Sequence, residues 1–233
     1  MPSASPQRMC WVLSTATQGE PSGRLGRRLS SCLLSRVREM RQVMILVSAV
    51  QTSDVKCARF PSNKPALGSA LSEAQTFAGA FRLSDRSWCA PQFAARQTAA
   101  ALGLDPADEP LLADIDYGSW AGRAIKDVIA TDCTGFVDWM RGGAPPQGEA
   151  LSMVVTRARN WLTAHLQLRG EFVAVMSSSM IRAVMMAALG APTKCFARID
   201  ISPLTTTVLT SDGWRWCLQS SGCRLTLPHS RSE

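Results

Sequence analysis

Five consecutive apolar residues, Val43–Val47, stop abruptly at Ser48-Ala49-Val50-Gln51-Thr52. A short unbroken apolar run closed by turn-prone residues predicts a strand buried on both faces of a parallel sheet. Open α/β sheets gather their ligands at the C-terminal ends of such strands. The expectation is therefore a site centred on Ser48–Thr52, where the first three side chains carry neither charge nor imidazole. Phe172–Met176 repeats the pattern and runs into Ser177-Ser178-Ser179.

The intervening segments alternate in kind. Helical spacing predicts a helix over Ser69–Leu83, with Leu71, Ala74, Ala78 and Phe81 on one face. A strand over Ser87–Ala90 ends at Pro91, and the Ala-rich Phe93–Leu102 predicts a helix stopped by Gly103. Short helices are expected at Ala124–Ala130 and Thr134–Arg141, before the breaker segment Gly142–Gly148. Ala150–Leu168 carries the best apolar stripe, Leu151, Val154, Val155, Ala158, Leu162 and His165, which makes His165 a boundary or core histidine. A helix over Met180–Leu189 is closed by Gly190, and strands near Thr205–Thr210 and Trp214–Gln219 turn at Ser211-Asp212-Gly213. Alternating strands and helices predict one α/β domain, a three-layer α/β/α sandwich with a mostly parallel central sheet. It is expected over 43–227, between a basic leader at 1–42 and a tail at 228–233.

Composition narrows the function classes. Hydrophobic content of 46% and seven Trp exclude a disordered chain, and no run of eighteen apolar residues predicts a membrane span. The net charge is +7, but residues 1–43 carry seven Arg against two Glu. A nucleic-acid partner would thus rest on the leader alone, and none is expected. The Arg-rich helix predicted at Gly23–Val43 suits a transit peptide. Leu29-Ser30-Ser31-Cys32 matches a lipoprotein box without the apolar region it needs, and we favour a start at Met40 or Met44. Eight Cys without a Cys-x-x-Cys pair, and only His165 and His229, assemble no zinc site, so no metal is expected. The thiols, Cys57 included, are expected to be buried and reduced in a cytoplasmic protein.

Several short motifs in one order carry a resemblance. They are Ser48-Ala49-Val50-Gln51-Thr52, Ala58-Arg59-Phe60-Pro61, Ala90–Ala95 followed by Arg96-Gln97-Thr98-Ala99, Asp114 with Tyr117-Gly118-Ser119-Trp120-Ala121-Gly122, Pro146-Gln147-Gly148-Glu149-Ala150, and Ile181-Arg182. From Val43 to Leu227 the chain resembles the histidine phosphatase superfamily, the phosphoglycerate mutase-like proteins, especially small bacterial members of the alpha-ribazole phosphatase type.

That resemblance implies phosphoryl transfer through a nucleophilic His, a second His, two Arg and an acid. The first Arg and the nucleophile fall on Ser48 and Ala49, the second Arg on Ala94, the second His on Ser177 and the acid on Asp114. Arg96 is about two residues round its helix from Ala94 and should point away. Four of five catalytic positions thus lack the required side chain, while Asp114 remains. Phosphoryl transfer needs an in-line nucleophile, positive charge on the equatorial oxygens and an acid for the leaving group.

The favoured function is therefore a catalytically degenerate homologue that retains phosphate or phosphometabolite binding. Arg59, Gln51, Thr52 and Ser178 are the expected binding residues, the last with the amide groups opening its helix. One alternative is a phosphohydrolase rerouted through Ser177 or Ser178 with Asp114, although a helix-capping serine is the simpler role. The other is a non-catalytic interaction scaffold. No cofactor and no membrane partner are implied; a phosphorylated small molecule is.

Overall fold

The computed structural model describes residues 42–81, 84 and 86–226. The leader (apart from Gln42), residues 23–41 of the helix predicted at Gly23–Val43, the tail and His229 lie outside the described residues; the last two residues of that predicted helix, Gln42 and Val43, are strand instead.

Strand β1, Gln42–Ser48, occupies the middle of a six-stranded sheet and is buried at five of its seven residues, with Met44, Leu46, Val47 and Ser48 fully covered. The others are β2 (Arg86–Cys89), β3 (Ala107–Asp108), β4 (Gly170–Met176), β5 (Thr205–Ser211) and β6 (Trp216–Arg224), in the order β3-β2-β4-β1-β5-β6. β1, β2, β3 and β4 run parallel, whereas β5 and β6 are antiparallel additions beside β1. Phe172–Met176 are all buried although successive side chains leave opposite faces, so both faces of β4 are covered. This is the expected three-layer α/β arrangement with a mostly parallel sheet.

The helices are α1 (Ser53–Lys56), α2 (Gly68–Gln75), α3 (Phe93–Ala101), α4 (Ile125–Thr131), α5 (Cys133–Met140), α6 (Leu151–Ala164) and α7 (Ser178–Leu189). Helix α7 buries Met180, Ile181, Ala183, Val184, Met185 and Met186, begins on a Ser177 cap and ends on Gly190 at φ 63°. That left-handed residue costs Gly nothing and stops the helix where the sequence places it.

Several expected boundaries move, each for a local reason. Helix α2 stops at Gln75 instead of running to residue 83, because Gly79 turns at φ 84° and its N–H reaches the Leu102 carbonyl at 3.1 Å. Ala78 is consequently exposed, and Phe77 packs on the core in its place. Helix α6 ends at Ala164, where the His165 Nδ1–H bonds the Trp161 carbonyl at 2.8 Å. The last strand starts at Trp216, not Trp214, because the Asp212 carboxylate ties the N–H groups of Trp214 and Arg215 into the turn. Gln42, assigned to the leader, is the first residue of β1. Four of the six described cysteines, Cys57 among them, are exposed rather than buried.

Register positions the site. Ser48 lies opposite Met176, and the Ala49 N–H continues the ladder to the Met176 carbonyl at 2.8 Å. Cys89 lies opposite Val175, with the Ala90 N–H on the Val175 carbonyl at 2.9 Å. Three parallel strands therefore end level, and the chain leaves them at Ala49, Ser177 and Ala90.

Candidate functional site

A cleft of about 720 Å³ opens over those strand ends. Ala49, Gln51, Thr52, Arg59, Ala94, Asp114, Ser177 and Ser178 all line it. Ser48 is wholly buried beneath, its hydroxyl 2.8 Å from that of Ser178. Residues far apart in sequence thus converge because β1 and β4 are neighbours and α3 and α7 both begin at the same edge.

At the floor, Ser177 caps α7. Its oxygen accepts the Met180 N–H at 3.1 Å while its hydroxyl donates to Asp114 Oδ1 at 2.7 Å. The same carboxylate oxygen takes the Ile115 N–H at 2.9 Å. Desolvation raises the Asp114 carboxyl above the ordinary carboxylate range, against the lowering effect of these bonds and of Arg157 and Arg182. The Tyr117 hydroxyl, 3.1 Å from Ser179 Oγ, is likewise pushed up, first by burial and then by the Asp114 charge. Ala94 is buried at the start of α3, where Thr98 bonds its carbonyl at 2.6 Å and takes the Val50 N–H at 3.0 Å.

The upper wall is loop. Thr52 caps α1, accepting the Val55 N–H at 3.4 Å, and the Gln51 carbonyl accepts the Leu67 N–H at 2.9 Å. Buried Asp54 holds the loop by accepting both the N–H and the hydroxyl of Ser62, at 2.9 and 2.6 Å. Arg59 is exposed and donates to the Gly122 carbonyl at 2.9 Å. Arg96 turns to Asp108 at 2.8 Å on the surface, away from the cleft, as the helical geometry requires.

Four further residues also shape the site, of which only Arg182 stood in a sequence motif. Arg157, on α6, grips Glu149 with two hydrogen bonds of 3.0 and 2.8 Å. It also donates to the carbonyls of Leu111, Ala113 and Asp114, fixing the segment that presents Asp114. The signal was Glu149 at the helix entrance with an Arg two turns further along the same face. Arg182 lies 5.4 Å from the Phe196 ring and reaches Asp200 at 3.4 Å. Lys64 and Arg123 border the mouth, and nothing local in the sequence places them together.

His165 does not enter the cleft. Its ring packs 4.5 Å from Trp88 and 5.1 Å from Trp161, at the far side of α6. Cys57 caps the end of α1 and is not part of the lining either. Among the described residues no group of three His, Cys, Asp or Glu is placed to hold a metal ion. No helix among them is long and apolar enough to cross a membrane.

The architecture matches solved phosphatases at low identity. A mycobacterial glucosyl-3-phosphoglycerate phosphatase in complex with VO3 superposes with a TM-score of 0.70 at 19% identity, covering 78% of this chain and 98% of that one. Alpha-ribazole phosphatase from Shigella flexneri gives 0.66 at 14% identity, covering 79% and 98%. A His-to-Ala variant of phosphoserine phosphatase from Entamoeba histolytica, in complex with phosphoserine, gives 0.69 at 14%, covering 78% and 96%. No curated protein matches the sequence. The sequence model of the histidine phosphatase superfamily (branch 1) matches residues 68–224, beginning just after the loop that follows β1. Most of the domain falls within that match, and the chain belongs to the histidine phosphatase superfamily.

Proposed function

We propose that this chain is a catalytically degenerate member of its superfamily that binds a phosphorylated small molecule without hydrolysing it. The observation that carries the proposal is the composition of the cleft floor: Ala49, Ala94 and Ser177 line it over buried Ser48, and no histidine does so among the described residues. A methyl group cannot attack phosphorus, and neither Ser48 nor Ala94 supplies the bidentate cation that grips equatorial oxygens. Loss of one transition-state donor commonly costs about 10²–10³ in rate, and several are absent together. Asp114, kept protonated more readily by desolvation, is a remnant acid with no covalent partner to serve. Retained binding is supported by the His-to-Ala phosphoserine phosphatase, which holds phosphoserine on the same fold.

The 2.7 Å contact between Ser177 and Asp114 favours a second reading, hydrolysis rerouted through that serine. Against it, the Ser177 oxygen already accepts the Met180 N–H, which is the work of a helix cap.

Incubation with a labelled phosphate monoester separates the two. The chain should give no phosphoenzyme and no turnover above background, whereas S48R/A49H/A94R/S177H should form a phosphoenzyme on residue 49. A labelled intermediate on the unmodified chain, or turnover that Ser177→Ala abolishes, would sink the degenerate reading.

A further inference from the structure

The two ends of the cleft differ in charge and in how far their polar groups are already engaged. At the floor the hydroxyls are paired with the protein itself: Ser48 with Ser178 at 2.8 Å, Ser177 with Asp114 at 2.7 Å, Ser179 with Tyr117 at 3.1 Å. The charged side chains confined to that end are Asp114, Asp116 and the exposed Asp200 against Arg182, whose guanidinium reaches Asp200 at 3.4 Å and keeps a buried Nε without a hydrogen-bond partner. A phosphate group placed there would meet three carboxylates against a single cation, among hydroxyls that are already paired.

The mouth is the reverse. Asp54, Arg59, Ser62 and Lys64 line both the cleft and an adjoining open recess of about 570 Å³, to which Arg123 contributes a third cation. The segments that carry Arg59 and Arg123 are tied together, since Arg59 Nη1 donates to the Gly122 carbonyl at 2.9 Å and the Phe60 N–H to the Arg123 carbonyl at 3.0 Å, while Arg123 Nη2 donates to the neutral Thr131 hydroxyl at 2.8 Å. The one carboxylate of the recess, Asp54, is turned onto Ser62. None of the three cations forms an ion pair among the described residues.

We infer that the phosphate of the ligand is held at the mouth by Arg59, Lys64 and Arg123, and that an uncharged hydroxylated body, a sugar or polyol, points toward the serines of the floor. The inference rests on the phosphometabolite-binding function proposed above and fixes the orientation of its ligand. In this pose the phosphorus stays clear of residues 49 and 177. Charge-assisted bonds from exposed cations supply the affinity, which is therefore sensitive to salt.

Titration calorimetry on the full chain tests this with glucose 6-phosphate and inorganic phosphate as probes. The double variant K64E/R123E should weaken glucose 6-phosphate binding about tenfold or more, the loss expected for charge-assisted hydrogen bonds. Lys64→Glu alone, on an exposed loop side chain, should lose part of that affinity and serves as the readout if the double variant folds poorly. Asp114→Asn should change inorganic phosphate binding less than about twofold, because a charge at the mouth is screened from the floor. Unchanged binding in the mouth variants together with tighter phosphate binding in Asp114→Asn would place the phosphate on the floor; the inference would fail while the proposed function stood. If neither probe binds the unmodified chain, the proposed function itself fails.

Discussion

Asp114 is the residue on which the floor turns. Its carboxylate is desolvated, accepts from Ser177 and Ile115, and titrates above its ordinary range. Because the folded state favours the protonated form, the associated stability is fully present below the ordinary carboxylate pKa and is lost as pH rises through the raised folded value. Asp114→Asn keeps an acceptor for both bonds and removes the charge. The variant should match the parent at the acid end and exceed it in stability as pH rises toward neutrality, in urea denaturation followed at a series of pH values. A parent that gains on the variant with rising pH would show that the bonds outweigh desolvation. Ala49 and Ala94 carry the opposite lesson: their small side chains leave room in the cleft but bring no charge to it.

At the scale of elements, the floor is held by helix α6 as much as by the strands. Arg157 joins Glu149, Leu111, Ala113 and Asp114 in one network, with both members of its ion pair more than four-fifths covered. Removing one partner of a covered, multiply bonded charge leaves the other without compensation. Arg157→Met should therefore cost about 2–3 kcal/mol in denaturant unfolding, well above the effect of a surface pair. A loss under about 1 kcal/mol would mean that solvent replaces the network. Helix α7 contributes differently. Its cap, Ser177, uses on the backbone and on Asp114 the hydroxyl that a hydrolase would need as nucleophile.

Across the whole molecule, an aromatic cluster supports the loops that wall the cleft. Phe60 sits 5.1 Å from Tyr117, 5.3 Å from Trp120 and 5.6 Å from Trp139, joining the loop after β1 to the segment that follows Asp114. The central sheet isolates Cys89 in the same core, where burial and the nearby Asp108 charge push its thiol up to about 12. Thiolate is the reactive form, so Cys89 is inert while the fold persists. Alkylation near pH 8 should label Cys57, Cys133, Cys217 and Cys223 quickly and Cys89 only after unfolding, as peptide mapping would detect. Rapid labelling of Cys89 in the native protein would mean that β2 opens readily.

The apolar runs of β1 and β4, the Gly190 stop and the serine cap of α7 were legible in the sequence because each depends on neighbours a few residues away. So was the lack of an imidazole at Ala49, since a side chain's identity needs no folding to be known. The early end of α2 was not legible: it depends on a hydrogen bond from Gly79 to Leu102, which helical periodicity cannot see. Nor was the pairing of Ser48 with Ser178 or of Arg59 with the turn that carries Arg123, and that of Ser177 with Asp114 came only from the resemblance. Those contacts join residues more than sixty positions apart, brought together by strand register and loop closure. Sequence determined which groups are available to this cleft; only the tertiary structure decided which of them were already committed to one another and which were left facing solvent at its mouth.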